Sequence, residues 1–268
     1  MIGQLAVVPM LDDGPVHRLI FALDIERSTT RTNPAKGRLR RVLYELLEQA
    51  LAAAGISSRH REELADRGDG VLVLIRPHDD VPKTVLFAQV IPLLTARLAA
   101  YNQSVAEPEL RMRLRAVVHA GEVHRDGRGF YGDDIDVAFR LLEARAVKQA
   151  LREAPATSLV LTVSEELWAG VVRHGYSGGS YQQHIRVKVG NRVRRGRIDF
   201  PVPAEIEPSV SVVPSRLARP ASALSLAGPD SRAERAPDRA AAGQVVNGHP
   251  VVNGHPGPAG APRPVSGP

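Results

Sequence analysis

The chain of 268 residues contains no cysteine. Disulfide bridges, thiolate metal sites and cysteine nucleophiles are therefore excluded. Long apolar runs are also missing, since none approaches the roughly 18 residues that a membrane-spanning helix needs. Residues 5–10 are apolar, but they lack a basic leader and run into Asp12 and Asp13, which is unlike a signal peptide. We therefore expect a soluble, cytoplasmic protein with no membrane partner.

Aromatic residues make up only 4% of the chain, and residues 208–268 contain none of them. That segment holds 11 of the 21 prolines and a tandem VVNGHP repeat at 245–256. Such a composition buries too little apolar area to offset the entropy of ordering the chain. We predict a leader over 1–15, a folded domain over 16–204 and a disordered tail over 205–268.

The net charge of +6 is divided evenly, because residues 1–207 hold 29 basic and 26 acidic side chains. The body is thus nearly balanced, and nucleic acid is not an expected partner. The densest basic run is expected on a solvated hairpin, with phosphate contact as the less favoured alternative; its members are Arg192, Arg194, Arg195 and Arg197.

Hydrophobic periodicity predicts an α+β domain. The predicted strands are 17–25, 61–67, 71–76, 111–119, 158–163, 182–189 and 193–200, and the predicted helices are 33–54, 81–102, 133–152 and 164–174. The order is βαββαβ followed by αβαββ, a ferredoxin-like core with a C-terminal elaboration and with helices on one face of the sheet.

Two carboxylates end up near each other in this arrangement. Asp24 ends the first strand, and Asp69 lies in the Gly68-Asp69-Gly70 turn of the next hairpin. Because two unpaired carboxylates repel each other, a divalent cation such as Mg²⁺ is one resolution. The alternative is that Asp24 caps the following turn and Asp69 is only a turn residue.

The turn after Asp24 contains possible phosphate donors. Backbone N–H groups from residues 25–29 can face a triphosphate, and Arg27, Ser28 and Thr29 add side-chain donors.

Four segments also resemble, in order and spacing, the catalytic domain of class III nucleotidyl cyclases over about residues 17–200. They are FALDIERST, RGDGVLVLI, LRAVVHAGEV and GFYGDDIDVAFRLLEA. The resemblance implies that Asp24, Asp69 and the carbonyl of Ile25 bind two Mg²⁺ or Mn²⁺ ions. It also implies that Arg140 stabilises triphosphate charge in the transition state and that Lys188 contacts phosphate. In homodimeric members of that family, such a site is completed across the subunit interface.

The sequence departs from the family pattern at several positions. Arg27 replaces a glycine of the phosphate turn, and Asp136 replaces an asparagine, which pairs it at i,i+4 with Arg140. The two base-selecting positions fall at Ala65 and near Gly129, so the base remains unassigned.

A zinc site is not expected at His119, Glu122 and His124, because alternate strand residues face opposite ways. His119 matches a family histidine, and His124 is expected to open the following loop. We favour an enzyme that converts a nucleoside triphosphate to a 3′,5′-cyclic nucleotide and pyrophosphate. The alternatives are a catalytically degenerate module that binds nucleotide or protein partners in signalling and, less favoured, an interaction domain whose tail recruits other proteins.

Overall fold

The computed structural model describes residues 14–176 and 178–205. These ranges include the predicted folded domain apart from residue 177. Most of the predicted leader and the predicted tail from residue 206 onward lie outside the described residues. Within the described residues, no helix combines the length and the apolar character needed to cross a membrane.

The domain is built on one sheet, and its strands follow the predicted order with one additional strand, Phe130–Tyr131. The strands are β1 (Val16–Ile25), β2 (Ala65–Asp66), β3 (Gly70–Ile75), β4 (Leu114–Arg125), β5 (Phe130–Tyr131), β6 (Leu159–Ser164), β7 (Gln183–Val189) and β8 (Arg192–Asp199). The helices are α1 (Asn33–Ala53), α2 (Ile91–Ser104), α3 (Asp133–Leu142), α4 (Arg145–Glu153) and α5 (Glu165–Gly170).

The strand order is β2-β3-β1-β4-β6-β8-β7, with β5 paired to β4 outside this path. Strand β1 is antiparallel to both β3 and β4, whereas β4 and β6 run parallel. The α+β class and the ferredoxin-like βαββαβ core with its C-terminal elaboration are therefore confirmed.

Helices cover both faces of the sheet, which differs from the single covered face expected from the sequence. Helices α1, α2 and α5 pack on the face that buries Phe21 and Val73, and α3 and α4 pack on the face that buries Ile20 and Leu72. Strands β1 and β3 are apolar at nearly every position because both of their faces are buried. The expected packing on a single face is correct for α1, α2 and α5, and it is wrong for α3 and α4.

The predicted helix over 133–152 is divided in two. Ala144 has extended backbone angles (φ −54°, ψ 137°), and the second helix starts again directly after it. Both halves remain amphipathic, so the apolar pattern did not reveal the break.

The loop expected after residue 119 is mostly a hairpin. Strand β4 continues through His124 to Arg125, and these two residues pair with Tyr131 and Phe130 of β5. The side chain of Asp126 closes the turn by accepting hydrogen bonds from two backbone N–H groups. His124 therefore lies in a strand rather than opening a loop.

The second predicted helix begins with a π-helical stretch, Leu86–Val90, that leads directly into α2. The N–H of Ile91 bonds to the carbonyl of Leu86, and Pro92 has no N–H to donate to the next carbonyl along. The wider helical turn thus coincides with Pro92.

Candidate active site

The ends of β1 and β3 bring Asp24 and Asp69 to one cleft. Asp24 is the cross-strand partner of Gly70, and the N–H of Ile25 donates to the carbonyl of Asp69 over 3.0 Å. A Cβ at Gly70 would lie 2.3 Å from the carbonyl oxygen of Leu23, so only glycine allows the strands to approach this closely. Both aspartates line an open cleft of about 770 Å³.

Arg115 of β4 holds the carboxylate of Asp24. The two residues are direct cross-strand partners. Arg115 Nε donates to Asp24 Oδ1 over 2.7 Å, and its terminal nitrogen donates to Oδ2. Both side chains are largely buried. The pair is bidentate, which is the strongest geometry available to a guanidinium and a carboxylate.

The charge of Asp24 is nevertheless not fully compensated. Burial raises the pKa of the Asp24 carboxyl, and the nearby charge of Asp69 raises it further. Arg115 and, more weakly, Lys148 act in the opposite direction, but the net shift is upward. An additional cation at this position would therefore be stabilising.

The turn after Asp24 has a strained backbone at Arg27, the residue that replaces a glycine of the family pattern. Arg27 lies in the left-handed region (φ 56°, ψ 31°) and begins a 3-10 turn over Ser28–Thr30. The carbonyl of Arg27 accepts hydrogen bonds from the Thr30 N–H and hydroxyl at 3.3 and 2.9 Å. Arg27, Ser28 and Thr29 all line the cleft beside the aspartates.

Four basic side chains in the cleft were missed by sequence reasoning. They are Arg113, Arg115, Lys148 and Arg152. The alternation of arginines at 113 and 115 along one strand and the i,i+4 spacing of 148 and 152 on one helix face were signals that could have revealed them. They lie beside the candidate phosphate turn.

Arg113 also fixes the helix that forms one wall of the cleft. Its guanidinium donates to the carbonyls of Leu151, Ala154 and Thr157, which end α4 and lead into β6. A further contact to Glu26, at 3.4 Å, joins the same guanidinium to the turn after β1. Arg113 thereby ties the opposite sides of the cleft together.

Arg140 and Lys188 do not line this cleft. Arg140 is exposed on α3, and Lys188 is exposed on β7, the last strand of the sheet. In the part of the chain that the structure describes, Arg140 has no ion pair with Asp136. The anticipated attraction between these two side chains is therefore not found.

The H-x-G part of the third motif anchors α3 rather than binding a ligand. His119 Nε2 lies 3.1 Å from Asp134 Oδ1, and Asp134 Oδ2 accepts the N–H of Glu122 over 2.7 Å. A Cβ at Gly121 would lie 2.0 Å from Asp134 Oδ2, so this glycine makes room for the carboxylate. His124 stacks on Tyr131 instead, with ring centroids 5.2 Å apart.

A second cavity, of about 530 Å³, contains both positions to which the sequence resemblance assigns base selection. Ala65 and Gly129 line it together with Asp66, Arg67 and Tyr131. Neither base-selecting position offers a side-chain hydrogen bond, and Asp66 is held by Arg40 at 2.9 and 2.7 Å. Those hydrogen bonds lower the pKa of Asp66 to about 2.

Comparison with known proteins identifies the fold. No family model matches the chain, and no curated protein matches it. Among solved structures, the adenylyl cyclase CyaB from P. aeruginosa superposes with a TM-score of 0.52 at 13% identity, over 74% of this chain and 100% of that chain. The guanylyl cyclase Cya2 superposes with a TM-score of 0.51 at 15% identity, over 71% of this chain and 95% of that chain.

The catalytic core of a rhodopsin-guanylyl cyclase, solved in complex with ATPαS, gives a TM-score of 0.50 at 12% identity, over 72% of this chain and 100% of that chain. The described part of the chain therefore has the fold of class III adenylyl and guanylyl cyclase catalytic domains, with a divergent sequence.

Proposed function

We propose that this chain is a nucleotidyl cyclase that binds a nucleoside triphosphate in the Asp24–Asp69 cleft and converts it to a 3′,5′-cyclic nucleotide and pyrophosphate. The proposal rests on the meeting of Asp24 and Asp69 with five basic side chains in one open cleft, which Glu26 and Glu143 also line. The five are Arg27, Arg113, Arg115, Lys148 and Arg152. Carboxylates suit a divalent cation, and guanidinium groups suit phosphate oxygens.

The donor set of the cleft fits a hard divalent cation such as Mg²⁺ or Mn²⁺. Asp24, Asp69 and the carbonyl of Ile25 offer only oxygen ligands, and burial leaves Asp24 with a raised pKa despite Arg115. When bound there, such ions would acidify the attacking 3′-hydroxyl and neutralise developing phosphate charge.

The protein's own side chains would then bind and orient the substrate. The turn at Arg27 and the basic side chains of Arg113, Lys148 and Arg152 surround the space for the triphosphate. Arg115 would exchange its carboxylate partner for a phosphate oxygen, because both acceptors suit a bidentate guanidinium. Holding the reacting groups in line is expected to supply most of the rate acceleration.

A second copy of the chain is part of the proposal. Arg140 and Lys188 are exposed and lie outside the cleft of their own chain, so each would serve the cleft of the partner. A two-fold homodimer would complete two equivalent sites in this way.

The Arg115–Asp24 pair favours a second candidate function. Since this guanidinium donates to both oxygens of one predicted metal ligand, the second candidate is a catalytically silent cleft that binds nucleotide through its arginines alone. Such a module would act as a nucleotide-dependent regulator.

Turnover and binding separate the two candidates. The protein is incubated with each of the four NTPs and Mn²⁺, cyclic products are sought by mass spectrometry, and NTP binding is measured with and without EDTA. Cyclic product that disappears in Asp69→Asn but persists in the exposed-carboxylate control Glu107→Gln supports the enzyme. Binding that survives EDTA without turnover supports the regulator, and absence of both refutes both.

A further inference from the structure

A cluster of two histidines and one aspartate lies far from the cleft just described. His60, His78 and Asp80 place one potential ligand atom each within 4.8 Å of one another, and they are the one such group among the described residues. The group is located past the Ile75 end of β3, whereas Asp69 precedes the Gly70 end. The six residues of β3 separate the two places by about 17 Å.

We propose that this cluster is a binding site for a divalent transition-metal ion, with Zn²⁺ as the best match. Two imidazoles and one carboxylate form a ligand set that zinc uses in sites with an open coordination position. The oxygen-only ligands of Mg²⁺ sites would not require histidine. The proposal concerns a different cation and a different place from the candidate active site.

The backbone already fixes the two segments that supply the ligands. The N–H of Arg76 donates to the carbonyl of His60 over 2.8 Å, and a bridge joins Arg61 to Ile75. The N–H of Val81 closes the turn by donating to the carbonyl of His78 over 3.0 Å. His60 is buried and is thus the fixed ligand, while His78 and Asp80 are exposed and free to adjust.

Ligation by the two histidines depends on which ring nitrogen carries the proton. Nδ1 of His78 accepts the N–H of Asp80 over 3.1 Å, and its Nε2 has no partner in the described ranges. Nδ1 of His60 lies 3.4 Å from the hydroxyl of Ser57, which can accept a hydrogen bond from the Nδ1–H that metal binding at Nε2 requires. Ligation through Nε2 requires the tautomer with the proton on Nδ1, because a neutral imidazole has only one acceptor nitrogen. In His78 that Nδ1 proton would face Asp80 Oδ2, which lies 3.5 Å from Nδ1.

The guanidinium of Arg59 contacts two of the three proposed metal ligands, His60 and Asp80. Arg59 donates from Nε to Nε2 of His60 over 2.9 Å, and its terminal nitrogen lies 3.6 Å from Asp80. The Ser57 N–H also donates to His60, at Nδ1, over 3.2 Å. A neutral imidazole has only one acceptor nitrogen, so these two donors compete for it. The Arg59 side chain is 72% exposed and can swing into solvent.

Closing the site requires only small movements. Ligand atoms around tetrahedral zinc are about 3.3 Å apart, so the two exposed side chains must approach by on the order of 1 Å. Binding would join the segment before β2 to the turn after β3 and hold them together. The consequence is a metal-stabilised edge of the sheet that does not involve the cleft.

Calorimetric titration of the full, metal-free chain with Zn²⁺ tests the proposal. We expect one Zn²⁺ per chain, a higher melting temperature with Zn²⁺, and visible absorption bands of tetrahedral Co²⁺ when Co²⁺ replaces it. His78→Ala and Asp80→Asn should each weaken Zn²⁺ binding more than about tenfold. Both positions are exposed, so these variants retain the fold.

Two controls separate this cluster from other histidines. His174→Ala removes an exposed histidine elsewhere, and His249→Ala with His255→Ala removes the two in the VVNGHP repeat. Neither should change the affinity. The proposal is overturned if no Zn²⁺ binds, if His78→Ala leaves binding unchanged, or if the repeat variant abolishes it.

The competition with Arg59 has its own test. Arg59→Ala should bind Zn²⁺ several-fold more tightly than the unmodified chain, whereas Arg38→Ala, which removes an exposed arginine on α1, should not. Equal affinities for Arg59→Ala and the unmodified chain would refute the competition.

Discussion

Arg115 and Asp24 face each other across β4 and β1, and the guanidinium donates to both oxygens of the carboxylate. Both residues line the cleft, and each side chain is at least 85% buried (13% and 15% exposed). Because burial raises the pKa of Asp24, this contact restrains a carboxylate that would otherwise bind a proton more readily. A metal ion bound by Asp24 would share the carboxylate with this guanidinium or displace it.

Replacing Arg115 by alanine should destabilise the protein by about 3 kcal/mol near neutral pH, since it leaves a buried carboxylate unpaired. The pKa of Asp24, already raised by burial, would rise further. The native state would then bind a proton that the unfolded state releases above its ordinary pKa of 3.8. The destabilisation should therefore shrink as the pH falls towards that value.

Urea unfolding at pH 7.5 and pH 4.5 measures this effect. The double variant Asp24→Asn with Arg115→Ala serves as the control, because it has no carboxylate at this position to titrate. Arg115→Ala should gain stability relative to the double variant as the pH falls. A loss in Arg115→Ala that does not depend on pH would contradict the assignment.

Arg27→Gly should stabilise the protein by about 1 kcal/mol, because glycine adopts the left-handed backbone without the Cβ penalty. Arg27→Ala retains the strain and should give no such gain. If Arg27 also donates to phosphate, Arg27→Gly will weaken NTP binding while raising the melting temperature. Thermal unfolding and calorimetric binding distinguish these effects, and equal stabilities of the two variants would argue against strain.

Gly121→Ala should destabilise the domain by about 3 kcal/mol, since the new Cβ would collide with the carboxylate of Asp134. The displaced carboxylate would also lose its contacts to His119 and to the N–H of Glu122. Gly129→Ala is the matched control, because a Cβ there meets nothing within 4 Å. Chemical denaturation of both variants checks the expectation, which fails if they are equally stable.

Glu62→Gln should remove a pH-dependent part of the stability. Burial alone would raise the pKa of Glu62, but hydrogen bonds from Arg76 and Arg18 outweigh it and lower the pKa below 4.5. The native state therefore favours the charged form, and its contribution is present above pH 4.5 and lost as the pH falls through the lower native pKa. We expect a loss of about 3 kcal/mol at pH 7.

At pH 3 the difference between Glu62→Gln and the unmodified chain should be much smaller. Glu63→Gln alters the adjacent, exposed carboxylate and should have little effect at either pH. Denaturation curves at the two pH values test this, and a constant difference would contradict the role of ionised Glu62.

Mixing two inactive variants tests the proposed shared site. Asp24→Ala and Arg140→Ala would affect different chains of one cleft, so a mixed dimer would retain one intact site. With equal amounts and random exchange, about a quarter of the unmodified activity should return, because half of the dimers carry one working site of two. Full activity in each single variant would refute the catalytic roles, and failure of rescue despite confirmed exchange would refute sharing.

The sequence by itself determined the order of the main elements, apart from β5 and the division of α3 from α4, and the meeting of Asp24 with Asp69. Apolar runs marked the central strands, because β1 and β3 are buried on both faces. The Asp69-Gly70 turn marked the point where β3 approaches β1, since glycine alone fits there. Each of these features depends on residues that are close together in the chain, so the hydrophobic periodicity and the turn residues indicate it directly.

Only the tertiary structure decided which side chains surround the carboxylates. Arg115 is 91 residues away from Asp24 in the chain, and it reaches that carboxylate because β4 pairs with β1 in one particular register. The cluster of His60 with His78 likewise depends on the pairing of two segments beside β3. The periodicity of the sequence indicates which face of an element a residue occupies. The cross-strand partner of that residue depends on strand order and register, and only the assembled sheet establishes these.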